Sequence, residues 1–228
     1  MISFRTLATS VSFAALFASL GAAQDLAKYR DFQFGMSLES VAQQIHVNAS
    51  SAQITHQRPA LIQTLQWGQF SYSDLSVKDR SLRSIRFDFY NDELSKMVVT
   101  YDPAGTEGLT TDDMIEAISA IYGPATNPKT TIAVSTFSQY EDNQKVLACW
   151  EDAQYSYNLF RSPYGNTFGL IAISKKLDLL ANDSSREADQ LDKLEAPGKE
   201  LARQVKQEED KRVAEQKARL ISKPTFRP

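Results

Sequence analysis

The chain has one cysteine, Cys149, and two histidines, His46 and His56, in 228 residues. A lone cysteine cannot close an internal disulfide, so a cysteine-stapled toxin or growth factor is excluded and stability must come from packing and backbone pairing. The histidines stand ten positions apart, neither four apart on a helix nor beside paired cysteines, so no metal site is expected. No Gly-x-Ser-x-Gly elbow, no glycine-rich loop of phosphate-cradling form and no carboxylate loop of calcium spacing is present, and no cofactor is expected. Neither sign of charge dominates: Lys and Arg number 25, Asp and Glu 28, interspersed. Without a basic stripe there is nothing to track a phosphate backbone, so nucleic acid is not an expected partner. Past Ala23 no apolar run approaches the roughly 20 residues of a membrane-spanning helix.

What the chain does carry starts with its first 23 residues: Arg5, an apolar run of about 14 residues from Leu7 to Leu20, then Gly21-Ala22-Ala23 before the polar Gln24. The run is short for a bilayer and the small residues suit a signal peptidase. The expectation is an export signal over 1–23, a mature chain from Gln24 and a periplasmic or extracellular location. No cysteine follows the cut, so the acylated cysteine of a bacterial lipoprotein is missing.

Residues 24–174 read as one α+β domain, with apolar residues at 42% and aromatics at 10% of the chain, enough for a real core. Two segments look like versions of one unit: a glycine, a hydroxyl residue able to cap a helix, then an amphipathic run. The first is Gly35-Met36-Ser37-Leu38-Glu39-Ser40-Val41, with Ser37 as N-cap and Leu38, Val41, Ala42 and Ile45 on one helical face. The second is Gly108-Leu109-Thr110-Thr111-Asp112-Asp113-Met114, in which Thr110 to Asp113 form a capping box, Met114, Ile118 and Ile121 share a face, and Gly123-Pro124 stops the helix. Asp112 and Asp113 then answer the partial positive charge of a helix start, in preference to a metal or acid–base role.

After each helix the period drops toward two, as half-buried antiparallel strands require. The first set is Thr64 to Ser73, Leu82 to Tyr90 and Leu94 to Tyr101, with a bulged turn at Asn91-Asp92-Glu93 that places Asp88 opposite Lys96. The second is Ile132 to Tyr140, Val146 to Asp152, Gln154 to Arg161 and Phe168 to Ser174, with turns at Asp142-Asn143 and Pro163 to Asn166. Gln69 to Tyr72 echoes Gln154 to Tyr157, each shortly after a tryptophan, Trp67 or Trp150. The fold expected is two tandem helix-plus-strand units forming one sheet with helices on one face.

From Lys175 the composition changes to a charged tail, 175–228, whose one aromatic residue is Phe226. Pro197-Gly198 is expected to split it, and Lys199 to Ile221 to form a helix laced by Glu208–Arg212 and Glu215–Arg219 pairs. Leu201, Val205, Val213 and Leu220 would line one side and are the candidate partner contacts. Glu208, Glu209 and Gln216 interrupt that seam where a coiled coil needs apolar residues.

Other chemistry is thin. Cys149, in a strand beside Trp150, reads as a buried structural thiol, because a nucleophile needs a base and an oxyanion site. His46 is placed at a helix C-terminus and His56 in a loop. Asp102 and Glu107 are loop carboxylates of a common kind, and no acid–base role is expected of them. Trp67, Tyr72, Tyr155 and Tyr157 are placed in core and strand-face packing, with a small-molecule cleft between sheet and helices as the alternative.

Gly108 to Met114 followed by Ile121-Tyr122-Gly123-Pro124-Ala125-Thr126 resembles the opening of the BamE/SmpA-type repeat, and Phe34-Gly35-Met36-Ser37 looks like a second copy without the Gly-x-Pro stop. That family and the similar β-lactamase-inhibitor-like modules pack helices on one face of an antiparallel sheet and bind proteins. The resemblance thus implies α+β structure and protein binding; the missing lipoprotein cysteine keeps outer-membrane assembly from being carried over. The expected function is an exported, non-enzymatic module contacting another envelope or extracellular protein. The alternative is a small-molecule carrier or enzyme using the cleft.

Overall fold

The structure is a computed structural model that describes residues 25–68, 81–126, 131–133, 143–162, 167–225 and 227. Residues 1–24, the Gln69 to Tyr72 echo and the Asp142 and Pro163 to Asn166 turn positions lie outside the described residues, as does most of the strand expected from Ile132 to Tyr140.

The class is α+β. In chain order come β1 (Lys28–Tyr29), β2 (Phe32–Gln33), α1 (Leu38–Gln44), β3 (Gln53–His56), β4 (Ile62–Gly68), β5 (Leu82–Tyr90) and β6 (Glu93–Tyr101). These are followed by α2 (Thr111–Tyr122), β7 (Thr131–Ala133), β8 (Asn143–Glu151), β9 (Tyr155–Arg161), β10 (Phe168–Ser174) and α3 (Lys175–Thr225). The main sheet is antiparallel, of order β3-β4-β5-β6-β10-β9-β8, and the short β7 pairs on β8 at its edge. Two meanders, β3 to β6 and β7 to β10, thus meet through their last strands. β1 and β2 form a separate ribbon whose Phe32 ring lies 4.7 Å from that of Phe87 on the main sheet.

Local chemistry explains the elements. Both helices open on a left-handed glycine, Gly35 at φ +83° and Gly108 at φ +78°, a conformation that is costly for a residue with a Cβ. Ser37 caps α1 by accepting from Ser40 N–H at 3.2 Å, and Asp92, in the β5–β6 turn, accepts from Leu38 N–H at 3.0 Å. Thr110 and Asp113 make the expected capping box, and Gly123 at φ +84° ends α2. Burial raises the energy of unpaired helix-end groups, so such caps fix where each helix starts. In the β5–β6 hairpin Asn91 and Asp92 both have positive φ, +46° and +68°, as a tight two-residue turn demands. Asp88 does face Lys96; the bulge lies inside the strands at Asp88/Phe89 and not in the turn.

The core lies on one sheet face under α1, α2 and the β1–β2 ribbon. Two neighbouring rows cross this face through paired residues: Trp67-Ile85-Val99-Leu170-Leu159-Ala148, and Leu65-Phe87-Met97-Ala172-Tyr157-Trp150. All twelve are buried, and alternation of period two is what delivers them to one side.

Three further expectations are corrected. Ile121 is 64% exposed, because α2 turns Met114, Ile118 and the half-buried Ile115 and Tyr122 to the core instead. His56 belongs to β3, not a loop. Pro197 does not split the tail: α3 runs unbroken through it, and Lys199 pairs with Asp192 at 3.2 Å and Glu195 at 3.1 Å across that point. α1 and α2 share one face of the sheet, and the first part of α3 packs on the opposite one, against β5, β6 and β10. There Val98, Phe160, Ile171 and Ile173 form a second, smaller cluster.

Candidate functional site

α3 leaves β10 without a break, so its first residues are held by the sheet. Lys175 Nζ meets Glu151 Oε2 at 2.7 Å, Lys96 Nζ meets Asp178 Oδ1 at 2.7 Å, and Ser185 and Ala188 are buried. The last anchor is Glu195, which pairs with Arg58 in the β3–β4 connection. That hydrogen bond, followed by the one from Lys199, holds the Glu195 carboxyl down to about 2. Beyond it, residues 196–224 are exposed throughout, an arm of about 45 Å at 1.5 Å per helical residue.

The four expected contact residues all lie on this arm, with Leu201 63%, Val205 57%, Val213 42% and Leu220 75% exposed. Leu194 and Ile221 extend the set. At about 100° per residue, Leu194, Leu201 and Val205 fall within about 40° of one another, whereas Val213 and Leu220 lie about 90° further round. The apolar stripe therefore winds around the helix and does not form a straight coiled-coil seam. Arg203 and Glu200 make the ion pair at the arm's start, at 3.0 Å. None of the described ion pairs joins Glu208 to Arg212 or Glu215 to Arg219.

The remaining candidates have structural settings. Burial, then the charge of Glu151, pushes the Cys149 thiol up, which keeps it protonated and a poor nucleophile. His46 turns the chain just beyond α1 at φ +55°. Asp102 accepts from Ala104 N–H at 2.9 Å and Gly105 N–H at 3.2 Å, so its carboxylate builds a turn, while Glu107 is exposed nearby. Among the described residues no three or more His, Cys, Asp or Glu are placed to hold a metal ion, and no helix is long and apolar enough to cross a membrane.

The four aromatic residues proposed for a cleft are not brought together. Tyr72 lies outside the described residues. Tyr155 stacks on Phe34 with centroids 5.2 Å apart, and Tyr157 tilts against Tyr122 at 4.5 Å. Tyr122 in turn donates to Lys28 O at 3.3 Å. Burial raises the hydroxyls of Tyr101, Tyr157 and Tyr122, the last to about 12, so this cluster stays protonated and offers no general base. Trp67 alone borders a cavity, in company the sequence did not signal: Arg30, Gln44, Ile45, Leu82 and Ile85. Compared with protein-family models, curated proteins and solved structures, the chain matches none of them.

Proposed function

We propose that the chain is an exported, non-enzymatic protein-binding module in which a sheet domain of two tandem units presents a helical arm to a partner protein of the envelope or the extracellular space. The observation that carries this reading is the arm itself. Residues 196–224 leave Leu201, Val205, Val213 and Leu220 in water, an arrangement that a partner covering them would relieve at roughly 25 cal/mol per Å² of apolar surface. An amphipathic helix laid into a groove is a recurrent mode of protein recognition.

Support for the tandem units comes from matched positions. Gly35 and Gly108, Ser37 and Thr110, and the buried Ile45, which caps the end of α1, and Ile118, inside α2, follow one another at the same spacing. Trp67 and Trp150 sit at opposite ends of the two core rows, each on the second strand of its meander.

The test is crosslinked co-purification from the native envelope and medium with the chain from Gln24, beside Leu201→Ser/Val205→Ser in the same chain and a version ending at Ala196. One protein captured reproducibly, and lost with both changes, supports the arm as the binding element. Equal capture by all three moves the site to the sheet, and capture by none removes the reading.

A further inference from the structure

The apolar stripe of the arm leaves one side of α3 after Val205, and that side continues as a row of alternating charge. At about 100° per residue, Val205, Glu208, Arg212, Glu215, Arg219 and Ser222 fall within a sector of about 100°. They stand three and four positions apart, the spacing by which one helix lies along another, and all of them are exposed. Among the described ion pairs none involves Glu208, Arg212, Glu215 or Arg219, whereas Glu200 and Arg203 at the arm's start pair with each other.

The order of the signs decides which partner fits. A second copy lying parallel sets Glu208 against Glu208 and Arg212 against Arg212, and like charges repel. A second copy lying antiparallel, centred between Val213 and Ala214, sets Glu208 against the partner's Arg219 and Arg212 against the partner's Glu215. A two-fold axis repeats both contacts. Each joins a guanidinium to a carboxylate, a pairing suited to two parallel hydrogen bonds, and the methylene stems of the arginines lay apolar surface beside Val205. Beside the row, Glu209 comes near the partner's Gln216 and Lys211 near the partner's Ala218, so these flanks add no like-charge contact. The paired stretch runs from Ala202 to Thr225, where α3 ends, and covers about 36 Å. It stops about 10 Å along the helix from Glu195, the last anchor to the sheet domain, which leaves the two sheet domains at opposite ends of the pair.

We infer that the arm is an interface between copies of this chain, an antiparallel helix pair held by Glu208–Arg219 and Arg212–Glu215 contacts in both directions. The inference rests on the reading of the arm as the binding element and names its partner as a second copy. The contacts are charged and border water, so the association is modest and falls with salt.

The experiment is sedimentation equilibrium of the chain from Gln24 to Pro228 at about 0.05 M and about 0.5 M salt. A dimer is expected at the lower salt, with a dissociation constant raised roughly tenfold or more at the higher. Glu208→Arg with Glu215→Arg makes the row all positive, and Arg212→Glu with Arg219→Glu makes it all negative. Each double variant should be monomeric alone, and an equimolar mixture of the two should dimerise. Orientation is read by oxidation: chains with Val205→Cys and chains with Ser222→Cys should form a disulfide when mixed, and neither should do so alone. A chain that stays monomeric at low salt overturns the inference, as does a dimer that both charge variants retain, a mixture that stays monomeric, or a disulfide formed by Val205→Cys alone. A monomeric chain whose arm still captures another protein overturns the inference and leaves the binding reading standing. A salt-sensitive dimer with no other protein captured supports the inference and puts the second copy in the place of a different envelope partner.

Discussion

Lys96, in the middle strands of the sheet, meets Asp178 of α3 at 2.7 Å with 5% of the lysine side chain exposed. Facing Lys96 across the hairpin is Asp88, itself buried and held by Arg86 at 3.2 Å and by the Thr64 hydroxyl at 3.1 Å. The contact ties a residue of the first meander to the helix that grows out of the second. Removing one member of a buried pair strands the other charge, at about 3–5 kcal/mol. Asp178→Asn should therefore lower stability by about 3 kcal/mol in urea denaturation. Lys96→Met with Asp178→Leu should cost much less than either change alone; additive losses would mean that the pair does not hold α3 to the sheet.

Trp150→Phe removes the donor for Ser119 and Gly123, whereas Trp67→Phe removes a donor that has no acceptor among the described residues. Both lose similar ring volume, so the difference isolates the hydrogen bonds. Trp150→Phe should be the more destabilising by about 1–2 kcal/mol. Equal denaturation midpoints would show that the end of α2 gains nothing from the indole.

Gly169 lies in β10 with the Phe160 ring of β9 laid over it, so that a Cβ at this position overlaps the ring. Gly169→Ala forces Phe160 out of the second-face cluster beside Val98 and Ile171. Overpacking of this kind costs about 1–3 kcal/mol. Thermal unfolding measures it, and Gly169→Ala combined with Phe160→Leu should recover part of the loss.

Acid should loosen the arm's root before the core. The Glu195 carboxyl is held down to about 2 by Arg58 and then Lys199, against an ordinary value of 4.5. A folded-state pKa below the unfolded one contributes stability above pH 4.5 that is lost as the pH falls toward 2. The Asp113 carboxyl, lowered by the Thr110 hydroxyl and backbone N–H, acts in the same direction at α2. Asp113 is exposed and Glu195 partly so, and water therefore keeps the effect small and salt weakens it. Amide protection factors around residue 195, taken relative to the intrinsic exchange rate at each pH, should fall between pH 5 and pH 3, and Glu195→Gln should make them low at both.

Much of the sheet was legible: Leu82–Tyr90 coincides with its expected span because one face of it is apolar, and Phe168–Ser174 because it is a short apolar run buried on both faces. Helix starts were legible from Ser37 and Thr110, whose capping is local. The two-residue strands Lys28–Tyr29 and Phe32–Gln33 are too short to show any period. α3 looked like a separate tail because its anchoring residues, Lys175 and Asp178, are charged. Their partners Glu151 and Lys96 are close only after folding. The cavity at Trp67 was hidden for a related reason: it depends on where α1 stops, which no apolar pattern marks.

The junction of β6 with β10 sets an order of events. Each meander can close by neighbour-to-neighbour pairing, but the join waits until β10 exists, and α3, leaving β10, can settle on β5 and β6 only afterwards. Until then the edge of β6 is open, with Met97, Val98 and Val99 in a row, a template for pairing with the wrong strand. The helix that later reaches into solvent is thus first the latch on the seam, and a chain cut before Lys175 would keep its two halves joined on one face only, by the β6–β10 pairing and the core beneath α1 and α2.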